Sequence, residues 1–179
     1  MEHEHGSALP DSLLDSVVAA ASATVGSISG TQPVYNGTRE DSDLSGIVGV
    51  VSLIGQGIWQ ISVGFPKETA IAIAMKFSGF EIAYESDDMG DVVGELANII
   101  AGDVAARLET SGVKTDLSIP AVARGDDIKI MQPNSMCSVY MLFRSSEGDF
   151  YIKVSTTREP RRRQEAGKGS NGQVVRGTW

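Results

Sequence analysis

Apolar residues recur at helical spacing at Leu13, Leu14, Val17, Val18, Ala21 and Val25, behind a start signal at Pro10 and Asp11 or Ser12. This predicts an amphipathic helix that ends at Gly26. From Gln32 to Ser45 the periodicity disappears among Pro33, Asn36-Gly37 and Asp41-Ser42-Asp43, which predicts a long mobile loop with room for a short strand near Val34-Tyr35. Alternation returns in Gly46–Leu53 and in Ile58–Phe65, where Ile58, Gln60 and Ser62 oppose Trp59, Ile61 and Val63. With Gly55-Gln56-Gly57 between them, the two runs predict a hairpin with one buried face; that glycine pair lacks the continuation of a phosphate-binding loop.

Pro66, Glu68 and the run Thr69–Phe77 predict a second helix that stops at Gly79. Ser86-Asp87-Asp88 place capping groups and negative charge at the start of a third, from Met89 to about Thr110, closed by Ser111-Gly112. The rest reads as strands: Lys114–Ala123 broken by Pro120, Ile128–Met131, Met136–Arg144 and Phe150–Thr156, with a turn at Ser146–Asp149. Gly125-Asp126-Asp127 is expected to be a turn between strands rather than a metal-binding carboxylate pair. The order predicts an α+β fold: a largely antiparallel β-sheet with long helices packed on one face.

The third helix has two unlike sides. Counting about 100° per residue from Asp91, Val92, Val93, Leu96, Ile99 and Ile100 fall between about 80° and 200° and are expected to face the core. Asp91, Glu95 and Asn98 fall opposite, three and four residues apart, and so form one polar patch. Gly94, Ala97, Ala101, Gly102 and Ala105 lie in or beside it, which predicts an open surface suited to close docking. Two mid-helix glycines cost about 1 kcal/mol each relative to alanine, so helix stability did not select them. Spacing alone also fits a solvated face whose glycines admit a neighbouring helix.

Composition removes several chemistries. Among 179 residues the only histidines are His3 and His5, near the amino terminus, so histidine-based nucleophilic relays and zinc catalysis lose their usual groups. The lone Cys137 has no disulfide partner within the chain and is expected to be a buried thiol, which points to a reducing, cytoplasmic setting. No uninterrupted apolar run approaches the roughly 20 residues a bilayer requires, and no membrane association is expected.

Net charge is −8, but residues 158–179 carry six cations against Glu159 and Glu165, which leaves +4 there and −12 on the remainder. An acidic body repels a phosphate backbone, so no nucleic-acid partner is expected. The expected organisation is a disordered tail over 1–10, one domain over 11–157 and a disordered basic tail over 158–179.

The run Asp91-Val-Val-Gly-Glu95-Leu-Ala-Asn98-Ile-Ile-Ala-Gly102, followed by Pro120 and Ser118-Ile-Pro-Ala-Val-Ala-Arg-Gly125, resembles the signature of the CheX/CheC chemotaxis phosphatases. The likeness extends over roughly residues 11–156, with a proline spacing one residue shorter than the family's pattern. A single copy of the motif resembles CheX rather than CheC, since Ser12, Ser16 and Ala19 occupy comparable positions in the first helix without the acid and amide.

The resemblance implies a phosphatase acting on the aspartyl phosphate of a CheY-type response regulator, with Glu95 and Asn98 as catalytic residues. Asn98 would orient the attacking water and Glu95 would pair with a partner lysine. Asp91, Gly94, Glu95 and Gly102 would contact the partner. It implies no cofactor of the chain's own, since Mg2+ would come from the response regulator, and it implies a homodimer. A noncatalytic adaptor for receiver domains and a flagellar-switch-related component are the alternative functions.

Overall fold

A computed structural model describes residues 9–39, 44–55, 57–129 and 136–157. His3, His5 and the expected tails, apart from Leu9 and Pro10, lie outside them. In chain order the elements are α1 (Asp11–Ser29), β1 (Val34–Arg39), β2 (Leu44–Ile54), β3 (Ile58–Phe65), α2 (Lys67–Ser78), α3 (Asp87–Thr110), β4 (Asp116–Leu117), β5 (Ala121–Ile128), β6 (Met136–Ser145) and β7 (Gly148–Thr157). The strands form one antiparallel sheet in the order β1-β6-β7-β3-β2-β4, and β5 also pairs with β2.

Alternation along β2, β3, β6 and β7 sends Ile47, Val51, Leu53, Ile61, Val63, Phe65, Met141, Phe143, Phe150, Ile152 and Val154 to the helical side. There they meet the buried faces of α1, α2 and α3. By length and composition α1 would suit a bilayer, yet Leu13, Val17, Ala20, Ala21 and Val25 are packed in this core.

Several expectations are corrected. The first helix passes through Gly26 and stops at Gly30, whose φ of 75° is the left-handed cap conformation; Gly26 is instead buried under the Gln32 side chain. The expected loop over 32–45 contains β1, paired with β6 around a register shift, with Tyr35 packed 5.4 Å from Phe143. Residues 40–43 of that loop lie outside the described residues. Gly125-Asp126-Asp127 is not a turn: it lies within β5, which pairs with β2 at Gly125 and again at Ile128, with Asp126 and Asp127 at a register shift between those two pairs. Of the strand expected over Ile128–Met131, Ile128 is the last residue of β5, Lys129 follows it outside the strand, and residues 130 and 131 lie outside the described residues. Cys137 is half-buried rather than buried, its thiol 3.7 Å from the Thr156 carbonyl oxygen.

The hairpin's second face is covered as well. Leu44, Val48, Tyr140 and Tyr151 form a smaller cluster there, and Ser62 and Ser155 are buried beside it. Tyr151 lies across Gly64, where a side chain would collide with its ring, and stacks on Tyr140 at 4.9 Å. Its hydroxyl donates to the Ser45 carbonyl oxygen at 2.8 Å and accepts from the Ser45 N–H at 3.1 Å.

Burial, reinforced by Tyr140, pushes the Tyr151 phenol well above its ordinary value. Above pH ~10 the unfolded chain loses this proton while the folded chain keeps it, so stability falls as pH rises, by up to about 1.4 kcal/mol per pH unit. Tyr151→Phe is expected to cost about 1 kcal/mol at pH 8 through the lost hydrogen bonds. It should also flatten the alkaline decline, as urea unfolding between pH 8 and 11.5 would reveal.

Candidate functional site

The polar patch lies on α3, and its position follows from how closely that helix approaches the sheet. Ser86 caps the helix, its side chain accepting from the Met89 N–H at 3.3 Å, with Asp87 and Asp88 in the first turn. Arg124 of β5 ties this start to the sheet. Its guanidinium donates to the Ser86 carbonyl oxygen at 2.9 Å and to Glu85 at 3.3 Å, and it lies 5.2 Å above the Tyr84 ring, which Lys67 also approaches at 5.3 Å.

Farther along, Gly49 of β2 admits α3 to close contact. A methyl group there would come within 2.7 Å of the Ala97 Cβ and 2.9 Å of the Val93 carbonyl oxygen. Ala97 and Ala101 consequently face the sheet and are fully buried, rather than forming part of an open patch. The buried stripe is Met89, Val93, Leu96, Ala97, Ile100, Ala101, Val104 and Leu108; Val92 is half-buried and Ile99, expected in the core, is 38% exposed.

This rotation leaves Asp91 and Glu95 exposed and Asn98 half-buried, all on the side away from the core. Among the described residues no hydrogen bond or ion pair engages any of the three side chains. Gly94 is not an open surface position. It is buried, 3.3 Å from a Val122 methyl and 3.8 Å from Pro120 when measured from a Cβ built on it.

Gly94 lines a groove of about 650 Å³ between α3 and β5, together with Asp87, Gly90, Asp91 and Glu95 of the helix, Val122, Ala123 and Arg124 of the strand, and Pro120 just before the strand. A second groove, of about 560 Å³, places Gly102, Ala105, Ala106 and Glu109 opposite Ile54, Gly55, Lys114, Thr115 and Asp116. A side chain at Gly102 would meet nothing within 4 Å. Asn98 lies one turn from Gly94 and one turn from Gly102, and is therefore level with the segment between β4 and β5.

That segment is fixed rather than loose. The Ser118 N–H donates to the Ser52 carbonyl oxygen, and the Ser52 N–H donates to the Ser118 hydroxyl, both at 2.9 Å. Pro120 thus separates two short strands that use the same edge of β2 in succession. The clamp made by Arg124 and the groove wall made by Val122 were not singled out from sequence. The available signal was Pro120 breaking an otherwise strand-like run, with Arg124 four residues beyond it.

Chemically, the patch offers two carboxylates and a carboxamide that no described residue engages, on a helix held at both the sheet and its own start. A carboxamide presents both donors and an acceptor, which suits it to holding a water molecule. No group of three or more His, Cys, Asp or Glu side chains suited to a metal ion occurs among the described residues.

Comparison with known proteins places the arrangement. Residues 47–144, more than half of the chain, match the family described as Chemotaxis phosphatase CheX. The chain is 25% identical over 149 residues to the CheY-P phosphatase CheX of Thermotoga maritima, a match covering 80% of this chain and 96% of that protein. The crystal structure of a CheX chemotaxis protein from Desulfovibrio desulfuricans is 25% identical, with a TM-score of 0.71 over 80% of this chain and 98% of that one. A CheX from Borrelia burgdorferi, solved in a complex with CheY, BeF3 and Mg2+, shares the fold at 24% identity and a TM-score of 0.67, covering 82% of this chain and 98% of that one. With its antiparallel sheet, its helical layer and its profile match in agreement, the chain belongs to the CheX chemotaxis phosphatase family.

Proposed function

We propose that the protein hydrolyses the aspartyl phosphate of a CheY-type response regulator, with Asn98 and Glu95 as the working side chains. The observation that carries this reading is the pair itself: an acid and an amide one turn apart on an anchored helix, neither engaged by a hydrogen bond or ion pair among the described residues. The Thermotoga relative, named a CheY-P phosphatase, supports the choice of substrate.

An aspartyl phosphate is an activated acyl phosphate, so its hydrolysis needs an in-line water and charge stabilisation more than a protein nucleophile. Water attacks phosphorus, the phosphorus–oxygen bond to the aspartyl carboxylate breaks with its electron pair going to that carboxylate, and the water proton leaves with inorganic phosphate. Asn98 holds the water. Glu95 pairs with a cation of the receiver, a lysine in this reading, and aligns the two proteins. Asp91 steers at the periphery, while Gly94 and Gly102 keep side chains out of the two grooves. The receiver's own Mg2+ neutralises the phosphoryl oxygens, and this chain brings no cofactor.

The deciding measurement is the decay of a phosphorylated CheY-type receiver with and without this protein; binding without acceleration would select the adaptor reading. Glu95→Ala is expected to weaken receiver binding by about tenfold at low salt and by less at high salt, where the pair is already screened. Equal loss at all ionic strengths would remove the assignment of Glu95 to a charged partner group. We likewise propose a homodimer in the cytoplasm, since among the described residues no strand pairs with the outer edges of the sheet at β1 and β5.

A further inference from the structure

The edge beside Asn98 carries more apolar surface than an edge needs. Leu117 is 40% exposed, Val122 39% and Ile119 89%, all within a six-residue stretch. Isolated exposed aliphatic residues are ordinary on protein surfaces; three on one short stretch level with the unengaged amide are not scattered. Ile119 is also presented on a fixed support. The residue before it is held by the reciprocal Ser118–Ser52 hydrogen bonds, and the residue after it packs over Gly94. A backbone already fixed on both sides of a residue loses little further freedom when that residue is covered.

The surroundings select the occupant by charge. Asp87, Asp91 and Glu95 line the adjoining groove, and its single cation, Arg124, is committed to Glu85 and to the Ser86 carbonyl oxygen. A surface that covers this edge must therefore present an apolar patch with a cation beside it.

We propose that Ile119, flanked by Leu117 and Val122, is the apolar anchor onto which the receiver docks, and that it sets receiver affinity while Asn98 acts on the water. This inference rests on the phosphatase reading and adds to it the surface that recognises the substrate protein. Covering one isoleucine side chain contributes on the order of tenfold or more to affinity.

The test uses the full chain with Ile119→Asp, and with Ile119→Leu as the conservative variant. Both should melt as the parent does, because the side chain is exposed. Ile119→Asp is expected to raise KM for the phosphorylated receiver about tenfold or more with kcat within about twofold, and Ile119→Leu should restore KM. An unchanged KM in folded Ile119→Asp overturns the proposal. So does an unchanged KM accompanied by a shift from dimer to monomer in sedimentation, which would give the strip to a second copy of this chain. Should the parent protein fail to accelerate dephosphorylation, the phosphatase reading fails by itself. Affinity for a beryllofluoride-activated CheY-type receiver, compared between parent and Ile119→Asp, then decides the docking surface separately: a tenfold difference keeps it and equality removes it.

Discussion

Asn98→Ala is expected to slow single-turnover dephosphorylation of a CheY-type receiver by on the order of 10²-fold, the usual loss when a preorganised polar group is removed. Receiver affinity should change little, because in the proposed chemistry the amide orients water rather than gripping the partner. The fold should be unaffected: among the described residues the amide makes no hydrogen bond, and alanine is the better helix former. Circular dichroism, receiver affinity and hydrolysis measured on one preparation separate these effects. Unchanged hydrolysis in a folded, binding-competent variant would remove Asn98 from the catalytic role.

The second large effect is expected from a residue that no partner touches. In Gly49→Ala the added methyl group meets both Ala97 and the carbonyl oxygen of Val93, so α3 must lift from β2. Forcing a methylene-sized group into a packed contact typically costs about 1–3 kcal/mol, which at this size lowers the melting temperature by about 2–12 °C. Activity should fall by more than the unfolded fraction explains, because lifting α3 moves Asn98 relative to the segment that holds Ile119. Adding Ala97→Gly removes one of the two collisions and should recover part of both losses. Full parental stability in Gly49→Ala alone would show that the approach of α3 to β2 is not limiting.

The same close approach explains where sequence reading succeeded and where it failed. The ends of α3 were legible because Ser86 and the glycine after Ser111 are strong local signals, and the carboxylate and carboxamide were legible because their three-residue separation puts them on one face of any helix. The direction of the buried face was misjudged. Large apolar side chains pulled the expectation toward Val92 and Ile99, whereas the contact with β2 is made through Ala97 opposite Gly49, where small size rather than hydrophobicity decides.

β1 was partly hidden for a different reason. Its Val-Tyr-Asn-Gly-Thr-Arg sequence has weak strand preference, and the strand exists through pairing with β6 and the packing of Tyr35 on Phe143. Asp126 and Asp127 read as a turn because a carboxylate pair is rare inside a sheet, but an edge strand leaves such side chains in solvent. The grooves beside the patch were beyond sequence reading altogether, since they depend on β4 and β5 sharing one edge of a strand some seventy residues earlier in the chain.

The empty space above two helix positions has a consequence for anyone who engineers this protein. A Cβ at Gly90 or at Gly102 would meet nothing within 4 Å, and alanine at either site would raise helix propensity by about 1 kcal/mol. A selection that scored only heat resistance would therefore fill both positions at once. Each glycine opens into a groove beside the acidic and amide face, so in the proposed function the volume that such a selection would occupy is volume the receiver needs. Thermotolerance and turnover should diverge at these two sites sooner than anywhere in the hydrophobic interior, and a library diversified there would map the footprint of whatever docks.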